Sequence, residues 1–456
     1  MTAPLVVPSS PAIHAPPGLP GLGQLLDAWR DPLGLFLRGM AGGHAVVRYR
    51  FGPYTYLLLN EPGDVERVLV KNAQAYGKSP SYRALRLVMG QGLVTSEGEL
   101  WRRQRKLMQP AFHHRCLVGF VGGMEGCVSD LAARWHQLPE GTTFDVHREM
   151  MELTFRIVGR TLFSTEVGAE AEGMGEALGF LLEYASDYAE TLVRMPTWLP
   201  TPRNRRFARS MATVDRLIAR VVAERRAASA APDDLLGMLL AADMDDRQLR
   251  DELVTLALAG HETTANALTW TWLLLSQHPD IARRARQEIL QEVGDGPLTF
   301  EALGRLGYLE RVIQESMRLY PPVWGIERQL KEPDEHSGHR ARPGDIALLC
   351  SYTLHRDPRL WTNPEGFDPD RFLPEHVARR PRFAYVPFGG GARICIGKAF
   401  AMLEAKLILA GLLRHFELAL VPAHPVVLDP GITLRPRHGL RMTLRRAAAP
   451  GAIGPS

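Results

Sequence analysis

Only four cysteines occur in 456 residues, Cys116, Cys127, Cys350 and Cys395, and none stands in a C-x-x-C pair. That scarcity removes a disulfide framework and a zinc site, so a cysteine with a chemical role here acts alone. No apolar run approaches the roughly 20 residues that span a bilayer, and the proline-rich start lacks a charged segment followed by an apolar one. The expectation is a cytoplasmic protein with no membrane anchor. Net charge is only +4 and the aromatics do not interleave with basic residues, which argues against nucleic acid as a partner. Also missing are an internal repeat, an alternating strand-helix rhythm and an interior linker. Proline- and glycine-rich stretches are confined to the ends, so flexible termini are expected over 1–20 and 446–456, around a single domain over 21–445.

What is present is ordinary globular material, 45% hydrophobic and 23% charged. The segment 246–278 reads as one long helix, opened by capping aspartates Asp245 and Asp246 and closed by Pro279. At 1.5 Å per residue it is roughly 50 Å long, and its middle is small or apolar on almost every face, the pattern of a helix buried all round. Further helices are expected over 306–320, stopped by Pro321 and Pro322, and over 398–415. Strand signals are short: a hairpin from 45–50 and 54–59 around Gly52-Pro53, and another strand at 345–349. The class is mainly α with a minor β-sheet region.

Two segments carry chemistry. In Phe388-Gly-Gly-Gly391-Ala-Arg393-Ile-Cys395-Ile-Gly397, a cysteine sits just before a helix, whose unpaired N–H groups and dipole lower a thiol pKa. The glycines allow close backbone approach to a large planar partner, and Arg393 offers a fixed charge two residues from the sulfur. A helix-capping loop with a structural cysteine would use the same residues, and on the residues alone both readings stay open. In Ala259-Gly260-His261-Glu262-Thr263-Thr264, acid and hydroxyl groups occupy the most buried part of the long helix, where they are costly without partners. A local helix opening at Gly260 would create room for a ligand or water; a satisfied polar bump is the plainer alternative.

Both segments resemble cytochromes P450. The first matches the heme-binding signature F-x-x-G-x-R-x-C-x-G at every fixed position, a coincidence expected on the order of once in 10⁴ chains. The second matches the oxygen-activation motif [AG]-G-x-[DE]-T-T without departure. The resemblance runs from Pro16-Pro17-Gly18 to the tail, and it implies the P450 fold, with heme b between the long helix and the helix after the cysteine loop. By that resemblance Cys395 is the axial thiolate that favours O–O cleavage. Arg393 contacts a heme propionate, Phe388 packs beside the sulfur, and Gly397 and Ala259 border the cofactor. Trp101-x-x-x-Arg105 and Arg328 are further propionate contacts. Glu262 as a solvent-reaching acid and Thr263 as a hydroxyl would form a proton relay to dioxygen. His261, rotated about 100° from Glu262, reads as structural or solvent-linked. His355 reads as structural.

Glu315-x-x-Arg318 places opposite charges on one helix face. In the family this pair joins an arginine of P-x-R-F, here Arg371, in a buried structural network. Val94, Val323 and Ala259 fall where family members line the substrate pocket, and all are small and apolar, which suits a fatty acid, terpenoid, carotenoid or polyketide. The reaction implied is insertion of one atom of O₂ into a lipophilic substrate with NAD(P)H electrons. With no flavin domain in the chain, a separate ferredoxin or flavodoxin is expected to dock on Arg102, Arg103, Lys106 and Lys398. Alternatives are a peroxide-driven heme-thiolate peroxygenase or isomerase, and a non-catalytic heme sensor.

Overall fold

A computed structural model describes residues 13–164, 170–191, 196–228, 234–242 and 244–447. Its contacts group into two compact units. The first comprises Met1–Ser81, Trp324–Glu365 and Arg379–Ile394; the second comprises Tyr82–Val323, Gly366–Ala378 and Cys395–Ser456. Of the expected flexible ends, 1–12 and 448–456 lie outside the described residues. Residues 13–20 are tied down, because the Arg48 amide donates to the His14 carbonyl at 2.8 Å and Leu19 exchanges two backbone bonds with Gly23. At the other end Arg446 lies in the strand Arg441–Arg446 and pairs with Phe416.

The first unit is built on a five-stranded sheet in the order Val46–Phe51, Tyr54–Leu59, Ile346–Leu349, Ile326–Leu330, Tyr76–Gly77. The expected hairpin is present, turning at Gly52 with φ +59°. Among the pairings of these five strands, that of Tyr54–Leu59 with Ile346–Leu349 is parallel and the others antiparallel, and it joins segments that are far apart in sequence. Val46, Leu57, Val65, Leu69, Ala347, Leu349 and Val386 form its core.

The second unit is organised around the long helix, Asp246–Gln277. Asp245 caps it, accepting from the Gln248 amide at 2.7 Å, and it ends at His278 because the following proline disfavours helical backbone there. Packed on it are Val146–Leu162, Gly307–Leu319 and Lys398–Leu413, the last two within two residues of the expected bounds. Trp270 of the long helix is fully buried and stacks on Tyr320 with ring centroids 4.7 Å apart. Its indole N–H donates to the Leu434 carbonyl at 2.9 Å, which pins the short strand Leu434–Pro436 against the helix.

One element bears on the absence of a long apolar run. The helix His114–Gln137 is long and apolar enough to cross a membrane by length and composition. Gly119, Gly122, Gly123 and Gly126 dilute its apolar run, which hid it in the sequence. Its buried stripe, including Leu117, Val121, Met124 and Val128, packs on neighbouring helices of the second unit, and a Cβ on Gly411 would come within 2.5 Å of Val128 Cγ1.

Candidate functional site

The cysteine loop is shaped by backbone requirements. Gly389 and Gly391 have φ of +69° and +67°, which only glycine adopts without strain. A Cβ on Gly391 would stand 1.9 Å from the Leu69 carbonyl oxygen, and one on Gly390 would stand 2.7 Å from Phe383. A side chain at Gly390 or Gly391 would therefore collide with the chain itself. His355 secures the loop's start: its Nε2 accepts from the Val386 amide at 2.9 Å. Phe388 precedes the glycines, and Arg393 closes a short turn, Gly391–Arg393, half-exposed. Arg328 is half-exposed on a strand of the same unit and donates to the Glu327 carbonyl at 2.7 Å.

Cys395 follows, two residues before Gly397 at the head of Lys398–Leu413. It is exposed, whereas Cys127 and Cys350 are buried and Cys116 is intermediate. Burial works against the expected depression of its pKa. Burial raises the thiol, and the Gly397 amide, Arg105 and Lys398 pull it back only in part. Exposure by area together with loss of bulk water describes a sulfur on the wall of a recess. Arg105 shares that setting, since burial lowers its pKa and the charge of Cys395 opposes the shift. Among the described residues no group of three or more His, Cys, Asp or Glu side chains is placed to hold a metal. A metal ion held by Cys395 would supply the positive charge that keeps the sulfur a thiolate.

The long helix opens in one place. Residues 251–258 and 264–275 are buried, yet Ala259 is exposed, and Gly260 and Thr263 are half-exposed. Ala259 and Thr263 lie one turn apart on one face. The backbone stays α-helical throughout, so the gap comes from small side chains and the expected helix opening is absent. Thr263 Oγ1 donates to the Ala259 carbonyl at 2.9 Å and Thr264 Oγ1 to that of Gly260 at 3.3 Å. Gly260 instead serves packing, because a Cβ there would meet Val158 at 3.1 Å.

Glu262 does not reach solvent as expected. It is buried, and burial raises its pKa against the opposing pull of Thr433 and Arg435. Its Oε1 accepts from the Thr433 hydroxyl, while Oε2 is buried with no hydrogen-bond partner among the described residues. His261 is fully buried edge-on to Phe155, and burial lowers its pKa to about 4, so it is neutral. Glu315, Arg318 and Arg371 do meet. Arg318 donates to both Glu315 oxygens at 2.7 and 2.8 Å, and Arg371 Nε donates to Oε1 at 3.1 Å.

Trp101 and Arg105 share the helix Gly98–Met108 with exposed Arg102, Arg103 and Lys106; Arg102 pairs with Glu99, and Arg103 donates to Gln248 at 3.0 Å. Val94 is half-buried against the cluster containing Val254 and Leu258, and Val323 is half-buried. A separate apolar cavity of about 40 Å³ is lined by residues such as Phe155, Val158, Leu217 and Ala257, and by none of the three expected pocket residues.

Several residues escaped the sequence reading. Glu404 lies fully buried in the helix after the cysteine, where burial raises its pKa well above the usual range despite Thr264 nearby. A lone acid in the apolar stretch 400–413 was its only signal. Thr433, Asn266 and His147, which stand behind Glu262, gave none.

The sequence model of the family "Cytochrome P450" matches residues 13–439. Cyclooctatin synthase of Streptomyces melanosporofaciens is 36% identical over 440 residues, covering 94% of this chain and 93% of that one. Cyclooctat-9-en-7-ol 5-monooxygenase of the same organism is 34% identical over 419 residues, 90% of each chain. Pentalenene oxygenase of Streptomyces avermitilis is 32% identical over 444 residues, covering 94% of this chain and 97% of that one. With the mainly helical fold and an exposed cysteine heading its helix, these matches show that the chain belongs to the cytochrome P450 family of heme-thiolate monooxygenases.

Proposed function

We propose that this enzyme hydroxylates or epoxidises a terpenoid, using heme b ligated by Cys395. The observation that carries the reading is the one face of the long helix left uncovered at Ala259, Gly260 and Thr263 between the buried stretches 251–258 and 264–275, in the same unit as the exposed thiol. Heme bound there supplies the one-electron chemistry that activates O₂. The chain's residues supply placement and protons. Trp101, Arg105, Arg328 and Arg393 are the proposed partners of the propionates, Phe388 and Gly397 flank the sulfur, and Ala259 gives the cofactor and substrate room. Glu262 passes a proton from Oε2 toward Thr263, whose hydroxyl, now donating to its own helix, rotates to donate into the opening.

The names of three relatives support the substrate class, since cyclooctatin, cyclooctat-9-en-7-ol and pentalenene are terpenoids. Small apolar Val94, Val323 and Ala259 suit such a body, and electrons would come from a ferredoxin or flavodoxin at Arg102, Arg103, Lys106 and Lys398. The test is a spin-state titration of the ferric protein with cyclic terpene hydrocarbons and alcohols and with long-chain fatty acids. Saturable shifts with terpenoids are expected. A response to fatty acids alone would overturn the substrate class.

A further inference from the structure

Glu262 is served from behind by a one-way chain of donors. His147 Nε2 lies 3.0 Å from Asn266 Oδ1, and Asn266 Nδ2 donates to Thr433 Oγ1 at 3.2 Å. The amide oxygen only accepts, so His147 must carry its proton on Nε2. The amide nitrogen only donates, so the Thr433 hydroxyl proton is left for Glu262 Oε1, which accepts it. Every link therefore points at one carboxyl oxygen, while Oε2 stays buried and unpartnered among the described residues. The placement is rigid. Trp270, one turn beyond Asn266, holds the Leu434 carbonyl at 2.9 Å, and the Leu434 amide donates to the Pro322 carbonyl at 2.9 Å, so Thr433 is fixed from its neighbour on the chain.

We infer that Thr433, backed by Asn266 and His147, is a positioning residue that makes Glu262 Oε1 a pure acceptor and so assigns Oε2 as the oxygen that carries and releases the proton. The inference rests on the proton-relay reading of Glu262. When Glu262 is neutral, its proton sits on Oε2, because Oε1 already receives the Thr433 hydrogen. When Glu262 is ionised, the same bond stabilises the anion. The charged group acting on it is Arg435, itself balanced by Asp429 and Glu183; His147, behind Asn266, answers to Asp145 and Arg435, and His261, on the same helix as Glu262, answers to His147.

The test is infrared pH-difference spectroscopy on the purified heme-loaded protein, with the Glu262 band assigned by its disappearance in Glu262→Gln. A hydrogen bond to a charged group contributes about 1.5–3 kcal/mol, or about one to two pH units. Thr433→Val, close to Thr in shape, should raise the Glu262 midpoint by about that amount and move the protonated carboxyl stretch to higher frequency. Thr433→Ser should restore both. Asn266→Leu, which frees the Thr433 hydroxyl to turn away, should give part of the shift and stands in if Thr433→Val fails to fold. A midpoint unmoved or lowered in Thr433→Val, or in Asn266→Leu where it stands in, would overturn the inference. Absence of heme-thiolate absorption from the wild-type protein would instead sink the functional reading and leave the Glu262 titration readable.

Discussion

Replacing Glu315 by Gln removes one negative charge from between two guanidinium groups, and its cost follows from how the site is satisfied. Glu315 and Arg318 have no exposed side-chain area and Arg371 is 11% exposed, so water cannot replace the lost charge. Oε1 accepts from Arg318, from Arg371 and from the Asp368 amide at 3.0 Å, and Oε2 accepts from Arg318 Nε. A glutamine keeps one of these acceptors and turns the other into an N–H aimed at an arginine. Arg318 retains its bond to the Gly366 carbonyl at 2.8 Å but loses the buried anion it was paired with. Breaking a buried pair in this way costs roughly 3–5 kcal/mol. Because Gly307–Leu319 packs directly on the long helix, the loss should appear as destabilisation of the second unit. Urea unfolding followed by tryptophan fluorescence reads it, since Trp270 and Trp272 are buried there. The double change Glu315→Met with Arg318→Met removes both charges and should cost less than the sum of the single changes. If Glu315→Gln unfolds within about 1 kcal/mol of wild type, well short of the buried-pair range, the network does not carry the stability assigned to it.

Thr263→Ala should leave heme binding intact while lowering product formed per NAD(P)H, with the missing electrons recovered as hydrogen peroxide. Removal of a positioned proton donor typically costs about 10²-fold or more in the step it serves, and unchanged coupling would contradict the relay. Glu252 is fully buried and accepts from the Leu93 amide at 2.9 Å, and burial raises its pKa from 4.5 to about 7. Its folded-state value lies above the unfolded one, so the native state holds the extra proton. The associated stability is fully present below about pH 4.5 and lost as pH rises through 7, on the order of 3 kcal/mol. Glu252→Gln, which keeps the acceptor, should flatten denaturation midpoints across that window; an unchanged slope would discount the shift. Charge reversal at Arg103 and Lys106 to Glu should weaken reduction by an acidic ferredoxin and steepen with falling salt, read by stopped-flow reduction; salt-independent reduction would remove the docking patch.

Local spacing made the cysteine loop and the acid-alcohol turn legible, because each function occupies one short segment. The helix bounds were legible for a similar reason, since Asp245 and Pro279 act within one turn of the ends they set. Partners brought in by folding were not legible. Glu262 and Thr433 are 171 residues apart, and nothing in the stretch around Thr433 marks it as the neighbour of a buried acid. Balances between opposing effects were also hidden. The helix N-terminus was placed correctly beside Cys395, but the burial that outweighs it depends on how deep the loop sits. That Gly391 also packs against the Leu69 carbonyl was not legible, because Leu69 lies more than three hundred residues earlier.

The most direct test of the central claim is the difference spectrum of the reduced protein with and without carbon monoxide, taken on wild type and Cys395→Ser. A strongly red-shifted band in wild type and its loss in the variant are predicted, because only a thiolate at Cys395 gives the reduced complex that absorption. Persistence of the band in Cys395→Ser, or a wild-type spectrum characteristic of an imidazole ligand, would contradict the account.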